Sequence, residues 1–269
     1  MSASSEHDQT LLDRPEVCRA IFHPRGEWGP SSGSYNVHMI PVESDISIGA
    51  RFYLAGSSAA NVLFFHGNGE IASDYEDVGP LYNRIGVNFL VADYRGYGLS
   101  GGVPTVSAML EDSHRILDYA RAWLEADGYN GPLVVMGRSL GSAPALELAA
   151  HRDGIDGLII ESGFALTAPL LSLLGVDVAR LGLDEAQGFR NMEKIGQFAG
   201  PTLIIHAQYD HIIPYSDGEA LFAASGAAKK KMLRVDGADH NDLFFVGMER
   251  YLEAVQGLVR EVLHDASMK

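Results

Sequence analysis

Short, almost continuously apolar segments recur along the chain and alternate with longer amphipathic ones. The segment 132–136 is typical, because it is too brief for a helix and apolar enough for a buried strand. Over 106–124 the apolar residues fall three and four positions apart, which is the spacing of one buried helix face. The strand criterion predicts β-strands at 35–42, 47–54, 61–65, 87–92, 132–136, 157–160, 201–206 and 231–235. This alternation predicts an α/β fold with a mostly parallel sheet, covered by helices on both faces.

The beginning of the chain departs from the alternation. No helical pattern separates the strands at 35–42 and 47–54, so we expect them to form an antiparallel hairpin at one edge of the sheet. The stretch 25–34 is rich in glycine, proline and serine, which is typical of an exposed loop. We therefore predict an N-terminal arm and loop at 1–34 and one domain at 35–269.

A serine between two glycines follows the strand at 132–136. The sequence Gly137-Arg138-Ser139-Leu140-Gly141 fits the pattern G-x-S-x-G, and the apolar residues after it read as a helix. A sharp strand-to-helix turn needs glycine wherever a Cβ atom would collide with the neighbouring strand and helix. The alternative is a turn that merely connects two elements, but the strand–turn–helix context favours a nucleophile elbow. We predict that Ser139 is the nucleophile.

A serine nucleophile needs a base, an acid that orients the base, and donors for the oxyanion. The elbow pattern predicts the chain order serine, acid, histidine. Asp210 follows the buried strand at 201–206, and His240 lies in a polar loop after the next strand, so we predict them as acid and base. A turn-capping role is the alternative for Asp210. Other acids in the histidine loop are Asp236, Asp239 and Asp242.

The strand at 61–65 ends in the sequence HGNG at 66–69. Two glycines let the backbone bend so that an amide points at the nucleophile, and we predict the amides of Asn68 and Leu140 as oxyanion donors. An ordinary Gly-Asn-Gly turn is the alternative. We expect His66 to prop this loop through a hydrogen bond.

Charge and cysteine content narrow the function. The chain of 269 residues carries a formal net charge of −15, which argues against binding to nucleic acid or to anionic membranes. Its one cysteine, Cys18, suits a reducing compartment, and the sequence shows neither a signal peptide nor an apolar run of the ~18 residues that a membrane span needs. Histidines near the acids lack metal-ligand spacing, so we predict no metal. We expect a cytoplasmic protein without stable membrane insertion, whose oligomeric state the sequence leaves open.

Several segments in chain order resemble the alpha/beta-hydrolase family: FFHGNGE, DYRGYGLSGGVPT, GRSLGS, LIIHAQYDHIIP and GADHND. More narrowly, they resemble the branch of depalmitoylase-like (acyl-protein thioesterase-like) serine hydrolases and their bacterial relatives. The resemblance implies a sheet of about eight strands, Ser139 as nucleophile, His240 as base, Asp210 as acid, and no cofactor. Two positions depart from the family pattern, with Ala207 and Asp239 where glycine is usual or common.

The stretch between the strands at 157–160 and 201–206 is too long for a plain crossover helix. In the family that the chain resembles, such an insertion forms a small helical cap over the active site, which implies a cap at about 163–200. Its leucines suit an acyl chain or another apolar group, and we expect Leu170, Leu173 and Leu174 to contact substrate. The alternative is that they pack on the sheet.

These observations predict a serine hydrolase that cleaves a carboxylic ester or thioester of an apolar acyl group through an acyl-enzyme. Its partner is then a small-molecule or acylated substrate. A peptidase of the same fold is one alternative, although no pocket for a basic amine is evident. A non-catalytic sensor of small ligands is the other, although all three triad positions are filled. Epoxide or haloalkane hydrolysis is excluded, because it requires aspartate in place of Ser139.

Overall fold

An eight-stranded sheet forms the centre of the computed structural model, which describes residues 11–28 and 35–268. The strands are β1 (Asn36–Pro41), β2 (Ser47–Tyr53), β3 (Ala60–Phe65), β4 (Val87–Ala92), β5 (Leu133–Arg138), β6 (Gly157–Glu161), β7 (Thr202–Ala207) and β8 (Lys230–Val235). Each predicted strand matches one of these within two residues at either end. The spatial order is β1-β2-β4-β3-β5-β6-β7-β8.

The direction of the strands follows the predicted pattern. β2 pairs antiparallel with β1 and with β4, so the hairpin at one edge is confirmed. The pairs β4–β3, β3–β5, β5–β6, β6–β7 and β7–β8 are all parallel. Because β4 and β5 lie on opposite sides of β3, the strand order reverses there. In open α/β sheets, ligands bind at such a switch point, beyond the carboxyl ends of the strands.

Helices cover both faces of the sheet. They are α1 (Pro15–Ile21), α2 (Gly79–Arg84), α3 (Val106–Ala126), α4 (Ser142–His151), α5 (Thr167–Leu173), α6 (Val178–Leu181), α7 (Asn191–Gln197), α8 (Tyr215–Ala224) and α9 (Leu243–Ser267). One apolar cluster joins the sheet to α1, α3, α4, α5 and α8, and a second joins the other face to α2 and α9. α3 begins at the predicted residue, where the Thr105 hydroxyl accepts a hydrogen bond from the Ala108 amide at 3.1 Å. The predicted α/β fold is confirmed.

The stretch between β6 and β7 contains α5, α6 and α7. The carboxylate of Glu185 accepts hydrogen bonds from the amides of Thr167 and Ala168 at 2.9 and 2.6 Å, which closes the stretch onto the start of α5. α7 is joined to α4 by Lys194 Nζ, which lies 2.6 Å from Glu147 Oε2. Burial alone would raise the pKa of Glu147, but the hydrogen bond from His114 and the charge of Lys194 lower it to about 2. Glu147 therefore stays ionised, and the ion pair holds the stretch to the domain.

The predicted N-terminal arm contains α1, whose Val17 and Ile21 are buried in the core. Beyond α1, the chain joins the domain where Gly26 forms a β-bridge with Gly98. Residues 1–10 of the predicted arm and 29–34 of the predicted loop lie outside the described residues.

Candidate active site

Loops at the carboxyl ends of four strands bring the predicted residues together. The loop after β3 carries Asn68, the turn after β5 carries Ser139, and the loops after β7 and β8 carry Asp210 and His240. Parallel strands end at one edge of a sheet, so residues far apart in sequence meet there. Ser139, Asp210 and His240 are buried, with 8, 9 and 4% of the residue surface exposed.

Ser139 lies in a strained turn between β5 and α4. Its φ is 52°, in the left-handed region that side chains other than glycine rarely adopt, at a cost of about 1–2 kcal/mol. A Cβ atom on Gly137 would overlap the carbonyl oxygen of Gly141, and one on Gly141 would overlap the carbonyl oxygen of Phe65. Gly137 is therefore required because the turn itself comes too close for a side chain, and Gly141 is required because the end of β3 does.

A continuous chain of hydrogen bonds links the three side chains. His240 Nδ1 lies 2.7 Å from Asp210 Oδ2, and His240 Nε2 lies 3.0 Å from Ser139 Oγ. Because a carboxylate only accepts, Nδ1 is the donor to Asp210, and Nε2 is free to accept from the hydroxyl. An imidazole held in this way can take the serine proton as the oxygen attacks an acyl carbon.

Asp210 is ionised in this setting. Its Oδ1 accepts hydrogen bonds from the amides of Ile212 and Ile213 at 3.0 and 2.8 Å. Burial alone would raise the pKa of Asp210, but the hydrogen bond and charge of His240 and the Ile213 amide lower it below its ordinary value. A second buried histidine, His206, lies 3.6 Å from Asp210, and burial lowers its pKa.

The other acids of the histidine loop have different partners. Asp239 Oδ1 accepts from the amides of Asn241 and Asp242, and Asp242 Oδ1 accepts from the amide of Asp239 at 2.7 Å. These carboxylates therefore cap the turn that carries His240. Asp236 pairs with Arg234, whose Nε lies 2.6 Å away.

The loop after β3 lies beside the nucleophile. Asn68 and Leu140 both line the cavity that contains Ser139 and His240. His66 Nδ1 donates to the carbonyl oxygen of Gly67 at 2.8 Å, a hydrogen bond of the propping kind expected for it.

The cavity above Ser139 has a volume of 260 Å³ and mostly apolar walls. Leu170 and Leu174 line it, as expected for substrate-contacting residues. Leu173 does not; it is 59% exposed and lines a neighbouring cavity of 210 Å³. The two cavities share Leu170, Ile212 and Ile213, so they adjoin each other.

Several residues that line the cavity were not predicted from the sequence. Ile21, the last residue of α1, and His23, two residues beyond it, form part of the wall of the cavity. The amide of His23 donates to the side-chain oxygen of Asn68 at 2.9 Å, and the Asn68 side-chain nitrogen donates to His23 Nδ1 at 2.6 Å. No sequence pattern joins residues 45 positions apart, so these contacts could be found only in the fold. Glu70 and Arg138, in contrast, belong to the motifs and could have been singled out as charges beside the site.

Within residues 11–28 and 35–268, no helix has both the length and the apolar composition needed to cross a lipid bilayer.

Comparisons with known proteins show what this chain is similar to. The family model described as Hydrolase_4, serine aminopeptidase S33, matches residues 56–181. Protein YfhR of Salmonella typhimurium is 32% identical over 200 residues, which are 70% of this chain and 66% of YfhR. Human alpha/beta hydrolase domain-containing protein 17B is 32% identical over 213 residues, which are 75% of this chain and 67% of the human protein. The chain thus spans about two thirds of the length of these curated relatives.

Solved structures share the fold. An esterase from Pyrococcus furiosus superposes with a TM-score of 0.71 at 16% identity, over 88% of this chain and 98% of the esterase. The resemblance inferred from the motifs is confirmed by these matches together. The chain belongs to the alpha/beta-hydrolase family.

Proposed function

We propose that this chain is a serine hydrolase that cleaves a carboxylic ester or thioester of an apolar acyl group. The observation that carries the proposal is the hydrogen-bonded series Ser139, His240 and Asp210, which opens on a cavity with mostly apolar walls. A mere sensor of small ligands has no use for an imidazole bonded to both a hydroxyl and a buried carboxylate.

The proposed reaction passes through an acyl-enzyme. His240 Nε2 takes the Ser139 proton while Oγ attacks the acyl carbon, and the amides of Asn68 and Leu140 receive the developing oxyanion. Asp210 stabilises the imidazolium that forms. His240 then gives its proton to the departing alcohol or thiol, and the same groups activate water to release the acid. No cofactor takes part.

The walls of the cavity suit the acyl part of the substrate. Leu170, Leu174 and Phe189 face the cavity from the cap stretch, and Ile212 and Ile213 line it from the loop after β7. Burial of an apolar chain against such walls contributes about 0.8 kcal/mol per methylene. The adjoining 210 Å³ cavity, which Leu170 also lines, gives a longer chain further apolar space. A net charge of −15 does not favour nucleic acid as substrate, and the single Cys18 suits the cytoplasm.

A panel of substrates tests the proposal. Purified protein is assayed on p-nitrophenyl esters and acyl thioesters from acetyl to palmitoyl, with amino-acid p-nitroanilides beside them because the matched family model bears an aminopeptidase name. We expect turnover of esters or thioesters, rising with chain length up to a limit, and labelling by a fluorophosphonate. Turnover of the anilides alone would favour a peptidase. Neither turnover nor labelling would favour a sensor.

The cap leucines should set the preference for chain length. Replacing Leu170 or Leu174 with alanine removes apolar contacts from the cavity that contains Ser139, and one such contact is worth ~1–3 kcal/mol of discrimination. We expect the ratio of kcat/KM for long-chain and acetyl esters to fall about tenfold or more, with acetyl turnover nearly unchanged.

A matched control for the cap leucines is Leu166, a partly exposed leucine that precedes α5 and lines neither cavity. Leu166→Ala should leave the ratio unchanged. An equal fall for all esters in Leu170→Ala and Leu174→Ala, together with a lower melting temperature, would show that these leucines serve the core instead.

A further inference from the structure

Arg138 directly precedes the proposed nucleophile, and its side chain is almost buried. Nη1 lies 2.6 Å from Glu70 Oε1, and Nε lies 3.0 Å from Glu161 Oε1. Nη2 donates to the carbonyl oxygen of His240 at 2.7 Å. Acceptors on three sides fix the plane of the guanidinium, as a planar fork allows and a lysine ammonium does not.

Glu70 extends this contact to the loop after β3. Its Oε2 accepts from the amide of Gly67 at 2.8 Å and from the hydroxyl of Tyr75 at 2.6 Å. Gly67 immediately precedes Asn68, so Glu70 orients the backbone next to the proposed oxyanion donor. A Cβ atom on Gly67 would lie 2.6 Å from Arg138 Nη1, so the guanidinium packs directly against this backbone.

Both members of the pair are charged. Burial alone would raise the pKa of Glu70, but Arg138 and the Tyr75 hydroxyl lower it below its ordinary value. Tyr251 donates to Glu161 Oε2 at 2.7 Å, which satisfies the remaining oxygen of the second carboxylate. The side chains of Arg138, Glu70 and Glu161 are 12, 24 and 5% exposed, and their polar atoms are paired, so the network is held more rigidly than a solvated ion pair.

We propose that Arg138 and Glu70 are positioning residues that set the spacing of the oxyanion loop, the nucleophile and the base. The proposal rests on the proposed function. The three loops follow different strands, and the contact of 3.0 Å between His240 Nε2 and Ser139 Oγ depends on where the His240 backbone is held. Arg138, the residue before Ser139, holds the His240 backbone through the hydrogen bond to its carbonyl oxygen. A displacement of 1 Å in such a site can reduce the rate by about 10²-fold.

Arg138→Met tests the proposal, because it keeps an apolar stem and removes every contact of the guanidinium. We expect kcat on a good ester to fall about 10²-fold with KM changed less than about threefold, and the rate constant for fluorophosphonate labelling to fall in parallel. Arg138→Lys keeps the charge, but its ammonium cannot reach all three acceptors. It should therefore recover less than about a tenth of the kcat that Arg138→Met loses. In Glu70→Gln/Arg138→Met, the Glu70 change should add little to the loss, because both residues act through one contact.

Arg95 is the matched control, since it is a buried arginine paired with Asp112 and Glu43, each 2.7 Å away, and does not line the cavity. Arg95→Met should lower the melting temperature and leave kcat of the folded protein unchanged. The positioning role would be overturned if Arg138→Met kept its kcat, or if its loss merely followed the unfolded fraction. If Arg138→Met does not fold, Glu70→Gln decides, because it changes no volume; a kcat equal to the parent's overturns the proposal.

The parent protein separates this proposal from the function on which it rests. A parent that turns over esters, with Ser139→Ala inactive, upholds the proposed function whatever the Arg138 variants do. A parent that is inactive on the panel and inert to the label overturns both.

Discussion

Ser139→Ala should reduce kcat on any ester or thioester substrate by ~10⁴-fold or more and abolish labelling by a fluorophosphonate. Ser139 alone carries the hydroxyl that is bonded to His240 Nε2, at 3.0 Å. The loss should be in kcat rather than KM, because the apolar walls of the cavity are untouched. Stopped assays across the substrate panel and mass spectrometry of the labelled protein measure both effects.

The fold of Ser139→Ala should be intact, since alanine removes one oxygen atom from an 8% exposed residue. A melting temperature near that of the parent is therefore the control. Labelling that persists at full stoichiometry in Ser139→Ala would assign the nucleophile elsewhere in the chain.

Asp210→Asn should lower kcat by about 10⁴-fold, because an amide in this place no longer stabilises the imidazolium and favours the wrong tautomer of His240. The folded protein holds the pKa of Asp210 below its ordinary value, so the carboxylate remains charged throughout the neutral range. The parent's kcat/KM should accordingly show no step from Asp210 in that range.

Asp239→Asn is the matched control for the acid. Asp239 is a neighbour of His240 in sequence, but its Oδ1 caps the turn by accepting from the amides of Asn241 and Asp242. An asparagine oxygen can keep these bonds, so we expect activity within about threefold of the parent. The assignment of the acid is wrong if Asp239→Asn is crippled and Asp210→Asn remains active.

The strands and the elbow could be predicted because local sequence determines them. Most strands are buried on both faces and are therefore apolar throughout, and the close approaches at Gly137 and Gly141 leave a fixed glycine spacing. The chain order of serine, acid and histidine then reduces the choice of partners to a few residues. Asn68 and Leu140 both line the cavity that contains Ser139, because both follow strands that are neighbours in the sheet.

The walls of the site could not be predicted in the same way. Leu170, Leu173 and Leu174 have the spacing of one helix face, so sequence alone cannot separate them; α5 ends at Leu173, and tertiary packing turns that side chain outward. The contact between His23, just after α1, and Asn68 depends on how residues 11–28 lie against the domain. Arg138 occupies a variable position of the elbow pattern, and its three acceptors come from other parts of the chain.

Ile212 and Ile213 both bind the carboxylate of Asp210 and line the cavity. Their amides donate to Asp210, while the same two residues line both apolar cavities beside Leu170. A substitution there that moves the backbone displaces Asp210 as well as the wall of the cavity, whereas a substitution of Leu170 alters the wall alone. Under the proposed function, new acyl preferences can therefore evolve at Leu170 by single steps that preserve turnover. Among descendants of this sequence, we expect the cap leucines to diverge freely and the isoleucine pair to be the slowest-changing part of the wall.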